Sequence, residues 1–182
     1  HKRGYKPKNI NDLKKLLERM IKMRGDEGDF NDIDTSDIVS MESLFEENKT
    51  FNGDITGWNI SSVRNMRNMF FYAESFNQPI GNWKFPNVID MSGMFSYAKS
   101  FNQDISKWKF PNVIYMNRMF YGAKSFNQPI GDWKFPNVTD MNHMFSYALS
   151  FNQDLSEWDL KGKNKTEIFN GCPIKDEYKP KM

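Results

Sequence analysis

"SFNQPIGNWKFPNVIDMSGMFSYAK" fills Ser75–Lys99, and the next 25 residues, "SFNQDISKWKFPNVIYMNRMFYGAK" (Ser100–Lys124), repeat it with eight changes. A third copy, Ser125–Leu149, differs from the first at five positions. The frame reaches further than the copies. Met41, Met66, Met91, Met116 and Met141 keep the 25-residue period, as do Phe51 to Phe151, Asn52 to Asn152 and Trp58 to Trp158. A period of this length marks a repeat architecture, in which each unit is one structural coil. "NQPIG" and "NQDIS" alternate, so the copies also pair into a 50-residue unit.

Two patterns run inside each unit. Val88, Met91, Met94, Phe95 and Ala98 are spaced 3, 3, 1 and 3, which predicts one face of a short helix. Trp108 and Phe110 flank Lys109 in an in–out–in pattern, which predicts a short strand. Pro111 ends that strand because it has no amide proton, and Asn112 turns the chain. The unit therefore reads as strand, Pro-Asn turn, short helix and Phe-Asn corner. One unit cannot bury its own apolar face, but stacked units share a continuous core. The expected fold is an α/β repeat solenoid, with a parallel β-helix of little helix content as the nearest rival. In it Trp83, Trp108 and Trp133 form a ladder on the strand side. Asn77, Asn102 and Asn127 form a second ladder whose amides serve backbone groups of the adjacent coil, since buried backbone groups need partners.

The ends depart from the pattern. Leu13, Leu16, Leu17, Met20 and Ile21 predict an amphipathic capping helix over about 11–24, with Asn11 as N-cap and Gly25 as its stop. Asp32–Phe45 reads as a degenerate first repeat, so residues 1–40 form an N-terminal cap and 41–160 the repeats. Residues 161–182 form a C-terminal cap, in which "TEIFNGCPIKDEYKP" keeps Phe169 but slips the register by one.

The whole chain carries a formal charge of +2, distributed in blocks. Residues 1–24 hold nine basic and two acidic side chains, residues 25–50 one and nine, and residues 51–160 nine of each. A nucleic-acid binder needs a coherent basic stripe, and the repeats have none. Cys172 is the only cysteine, so no intrachain disulfide and no cysteine metal site is available. No apolar run is long enough to span a membrane. No signal peptide is visible, and the chain opens at His1 rather than Met, which reads as a piece trimmed from a longer one.

The pattern "VxxMxxMFxxAxSFNQxIxxW", as in Val88–Trp108, resembles the 25-residue repeat of BspA-like bacterial surface proteins, including the mycoplasma lipoproteins of that group. "DTSDIVSMESLF" and "FNGCPIKDEYKP" are similar to that family's boundaries, so the resemblance covers about residues 10–180. It implies a leucine-rich-repeat-like, right-handed coil displayed at a cell surface or secreted, adhesive in role and without enzyme activity or cofactor.

The residues themselves agree in offering little chemistry. His143 occupies a slot held elsewhere by Asn68, Gly93 and Arg118, which marks a variable surface position. Cys172 has no paired histidine and reads as a structural thiol. Gly25–Asp37 could hold a cation but lacks the glycine placement of a calcium loop, and a solvated acidic cap facing the basic helix is the simpler reading. Asp54, Asp104 and Asp154 are 50 apart, too spread for an acid–base pair. The Asn-X-Ser/Thr sequons at Asn48, Asn59, Asn137 and Asn164 matter only under eukaryotic secretion. No catalytic, cofactor or metal residue is expected. Interaction is expected at variable outward slots: Asn82, Lys107 and Asp132 in one, Lys84, Lys109 and Lys134 in another. That lysine row is either a binding face or a source of solubility. The function expected is non-enzymatic binding of an unknown protein or glycan at a cell surface, the alternative being an intracellular scaffold of the same fold.

Overall fold

The computed structural model describes residues 4–182; His1 and the other two residues at the start of the expected N-terminal cap lie outside the described residues. Helix α1 spans Ile10–Arg24. Its N-cap is Asn9 and not Asn11: the Asn9 side chain accepts from the Asp12 amide at 2.9 Å. Capping from Asn9 puts Asp12 in the first turn, where a carboxylate faces the positive helix end and also accepts from the Lys8 amide. Gly25, at φ +82°, ends the helix and donates to the Ile21 carbonyl at 2.8 Å. Leu13, Leu16, Leu17 and Met20 are buried in the main core.

Beyond α1, successive 25-residue units lie directly on one another. Single parallel bridges join Ser40 to Asn65, Asn65 to Asp90, Asp90 to Tyr115, and Tyr115 to Asp140. The last bridge, Asp140 to Asn164, spans 24 residues, which is the one-residue slip. Among the described residues α1 is the one α-helix, and the other helical element is a three-residue 3-10 turn, Asp176–Tyr178. The short helices and strands expected in every unit are therefore absent.

The helix reading fails for a definite reason. In Met91–Ala98, alternate amides leave the segment: Met91, Gly93, Phe95 and Tyr97 donate to Tyr115, Asn117, Met119 and Tyr121 of the next coil at 2.7–2.9 Å. The amides between them close three-residue-spaced turns, Met94 to Met91, Ser96 to Gly93 and Ala98 to Phe95. Gly93 and Tyr97 have φ of +65° and +56°, as type II turns require at their third residue. The same two positions are left-handed in every coil, for example Asn68 and Tyr72, or Arg118 and Gly122. Such turns carry Met91, Met94, Phe95 and Ala98 into the core together and so imitate a helical face.

The strand reading fails differently. Trp108 and Phe110 are buried and Lys109 is exposed, as the alternation demands, but no backbone hydrogen bond joins this segment to its neighbours. Side chains span the gap instead. The Trp108, Trp133 and Trp158 indoles donate to the carbonyls of Ile80, Ile105 and Ile130 at 3.0–3.1 Å. Trp58 does the same to Phe30, while buried Trp83 lacks a partner.

The asparagines form a continuous ladder. The amide N–H groups of Asn77, Asn102, Asn127 and Asn152 donate to the side-chain oxygens of Asn52, Asn77, Asn102 and Asn127 at 2.9–3.0 Å. Gln78, Gln103, Gln128 and Gln153 brace the same oxygens, a role the sequence reading had not assigned to them. A further brace runs along the Pro-Asn turns, where Asn112 and Asn137 side chains donate to the Pro86 and Pro111 carbonyls at 2.7 Å.

Aromatic columns fill the interior. Phe70, Phe95, Phe120 and Phe145 stack at 5.5–5.7 Å. Phe76, Phe101 and Phe126 stack at 6.1–6.2 Å, and Trp133 lies 6.5 and 6.4 Å from Trp108 and Trp158. Parallel-paired backbone sits about 4.8 Å apart. The rings of the tryptophan column are thus spaced more widely than those of the Phe70–Phe145 column.

The last coil breaks the pattern once more. Lys163 stands where the earlier coils bury Val63, Val88, Val113 and Val138. Its ammonium donates to the Phe135 and Val138 carbonyls at 2.8 Å, and burial lowers its pKa from the ordinary 10.5.

Candidate functional site

Two faces of this frame carry side chains that the frame does not use. The first is the row on the tryptophan side. Asn82, Lys84, Lys107, Lys109, Asp132 and Lys134 are all exposed. Lys84, Lys109 and Lys134 follow buried tryptophans in three consecutive coils, and none makes an ion pair or hydrogen bond among the described residues. Because they occupy loop and not strand, the open backbone between coils leaves shallow grooves. One of about 230 Å³ is bordered by Lys109, Lys134, Asp132 and Pro136, and one of about 370 Å³ by Lys134, Pro136, Glu157 and Lys161.

The second face lies along the left-handed turns on the bridged side. Tyr72 and Tyr97 stack at 4.4 Å, and the row continues to Tyr121 at 5.4 Å and Tyr147 at 5.6 Å. Glycine makes room for it: a Cβ on Gly122 would come within 2.7 Å of the Tyr97 ring, and one on Gly171 within 2.6 Å of Tyr147. Neighbouring rings and burial hold the Tyr97 phenol above its ordinary pKa, burial being the larger cause. Beside the row is a polar groove of about 300 Å³ between Arg67 and Arg118, floored by Ser92, Gly93 and Ser96. The Arg118 guanidinium also lies over the Tyr121 ring, 5.8 Å from its centre. The sequence reading flagged Arg118 and His143 as variable but passed over Arg67 and the tyrosines. Their signal was the change from Glu46-Glu47 through Phe71-Tyr72, Ser96-Tyr97 and Tyr121-Gly122 to Ser146-Tyr147 in a frame otherwise fixed.

The remaining candidates are structural in their surroundings. The His143 ring is 3.2 Å from the Ser146 hydroxyl and 3.6 Å from the Glu167 carboxylate. Cys172 is half-buried, its thiol against the Phe151 carbonyl and pushed up in pKa by burial. In the acidic stretch, Asp32 binds the Arg24 guanidinium at 2.7 and 2.9 Å, and Lys6 approaches Asp34 and Asp37. Among the described residues no cluster of His, Cys, Asp or Glu could hold a metal ion, and no helix is long and apolar enough to cross a membrane.

These features define a tandem-repeat protein in which 25-residue units stack on an aromatic core and present two decorated faces. The chain belongs to the family described as "Mycoplasma protein of unknown function, DUF285", which matches residues 3–97 and again 79–178. No curated protein and no solved structure matches the chain.

Proposed function

We propose that the chain is a non-enzymatic interaction module of the BspA-like kind, a right-handed, leucine-rich-repeat-like solenoid exposed at a cell surface and binding a protein or glycan of its surroundings. The observation that carries this reading is the row of Lys84, Lys109 and Lys134, held at equivalent places on a rigid frame without partners among the described residues. The core contacts and ladders of the stack do not use these lysines, and repeat proteins use the surface between fixed positions for recognition. Replacing the three lysines together with Glu should leave the circular dichroism and melting unchanged. It should weaken binding to host cells or immobilised extracellular matrix by about tenfold or more, as expected where like charges replace complementary ones. Undiminished binding would exclude this face. Surface display is tested by protease shaving of intact cells that carry the full-length protein.

A further inference from the structure

We infer that the groove between Arg67 and Arg118, with the tyrosine row beside it, is a second binding site, and that it takes a linear acidic glycan of the uronate-containing kind. The inference rests on the interaction-module reading but not on the lysine face. The groove exists because one side chain is missing. The slot filled by Asn68 and Arg118 in the flanking coils is Gly93 here, at φ +65°, and a Cβ there would run into the Asn68 side-chain oxygen. Small Ser92 and Ser96 deepen the same depression.

Its chemistry is selective. Arg67 and Arg118 make no ion pair among the described residues. The nearby carboxylates are held by their own turns and not by the arginines: Asp90 accepts from the amide and the hydroxyl of Ser92, Asp140 accepts from the Asn142 amide, and Glu167 faces His143. Two guanidiniums with free forks favour a ligand bearing carboxylate or sulfate. Asn117 and Asn142 in the lining offer donors and acceptors together, as neighbouring hydroxyls require. The row borders the groove with aromatic surface, Tyr121 under the Arg118 guanidinium and Tyr147 half exposed beyond it, against which the C–H side of a sugar can lie. Rigid aromatic anchors beside adaptable Asn, Ser and Arg form the composition that recognition surfaces share. A peptide is disfavoured because the backbone amides along this face already serve the next coil, leaving no open edge to extend.

The test is calorimetric titration of the protein with hyaluronan tetrasaccharide, chondroitin sulfate tetrasaccharide and chitotetraose. The repeats themselves supply variants that the frame accepts. Asn117 and Asn68 already fill the slots of Arg67 and Arg118 in other coils, so R67N/R118N should fold. Ser96 holds the slot of Tyr121, so Y121S should fold too. One or both acidic tetrasaccharides should bind at least about tenfold more tightly than chitotetraose, with R67N/R118N lowering that affinity about tenfold and Y121S about fivefold. The Lys84→Glu, Lys109→Glu, Lys134→Glu protein should bind as the wild type does. Binding of hyaluronan assigns the anion to the carboxylate, and binding of chondroitin sulfate alone assigns it to the sulfate. Absence of binding by the wild type, equal binding of chitotetraose, or full affinity in R67N/R118N each overturns the inference. Loss confined to the lysine variant overturns it as well, while leaving the lysine face as the interaction site.

Discussion

At the scale of single residues, the asparagine ladder shows what an inward polar side chain does in a stack. Each Oδ1 stands where the following coil has an amide and no carbonyl within reach, so the side chain supplies the acceptor the backbone lacks. Asn77 accepts from the Asn102 amide at 2.9 Å and from the Gln103 side chain at 3.1 Å. Asn77→Ala removes both bonds and should cost about 1–3 kcal/mol in urea unfolding. Asn82→Ala, at an exposed slot five residues on, should stay within about 0.5 kcal/mol of wild type. Equal effects at the two positions would mean that the ladder contributes nothing beyond its burial. The aspartates obey the same local rule. The Asn31 amide and Thr56 hold the Asp54 carboxyl below its ordinary 3.8, and Ser106 does so for Asp104 through its hydroxyl and its amide. At low pH the unfolded chain then binds more protons than the folded one. The stabilisation is complete above the ordinary carboxylate pKa and is lost as pH falls below it. Urea midpoints should be level from pH 7 to about 5 and drop below about pH 4, and Asp54→Asn should make that drop shallower.

At the scale of elements, helix α1 was readable and the repeat interior was only half so. Leu13, Leu16, Leu17 and Met20 form an unbroken helical stripe, closed by Gly25, and all four are buried. Only the cap residue was misplaced, since Asn9 and Asn11 both meet the compositional rule and the Asp12 contact chooses between them. Leu13 is wholly buried, so Leu13→Ala should cost about 2–5 kcal/mol in chemical denaturation. A loss below about 1 kcal/mol would show that α1 is not part of the cooperative unit. Within the repeats, buried and exposed positions could be read from Val88, Met91, Met94, Phe95 and Ala98, but backbone conformation could not. Apolar spacing reports which side chains point inward, and it is blind to whether an amide bonds inside its own segment or to the next coil. Gly93 and Gly122 were the available hint, since a left-handed position is where glycine is most at home. The candidate groove was hidden for a related reason. It arises from the left-handed turns and from which residues they turn outward, and neither follows from a period.

At the scale of the whole molecule, the stack gains its stability from neighbours, and each coil is braced on both sides by repeated hydrogen bonds and ring contacts. The two decorated faces follow different columns of the stack, the lysines beside the tryptophans and the arginines beside the stacked tyrosines. A one-dimensional crystal of coils also has a growth problem: its final layer offers the same template that every earlier layer was built upon. Lys163 answers it. A further coil would have to cover a charged ammonium where all previous ones met a valine methyl group. Lys163→Val should therefore raise self-association in sedimentation velocity, and an unchanged sedimentation profile would assign the stop to the slipped register instead. Lys163 thus makes the last coil a poor template for a second copy of the chain.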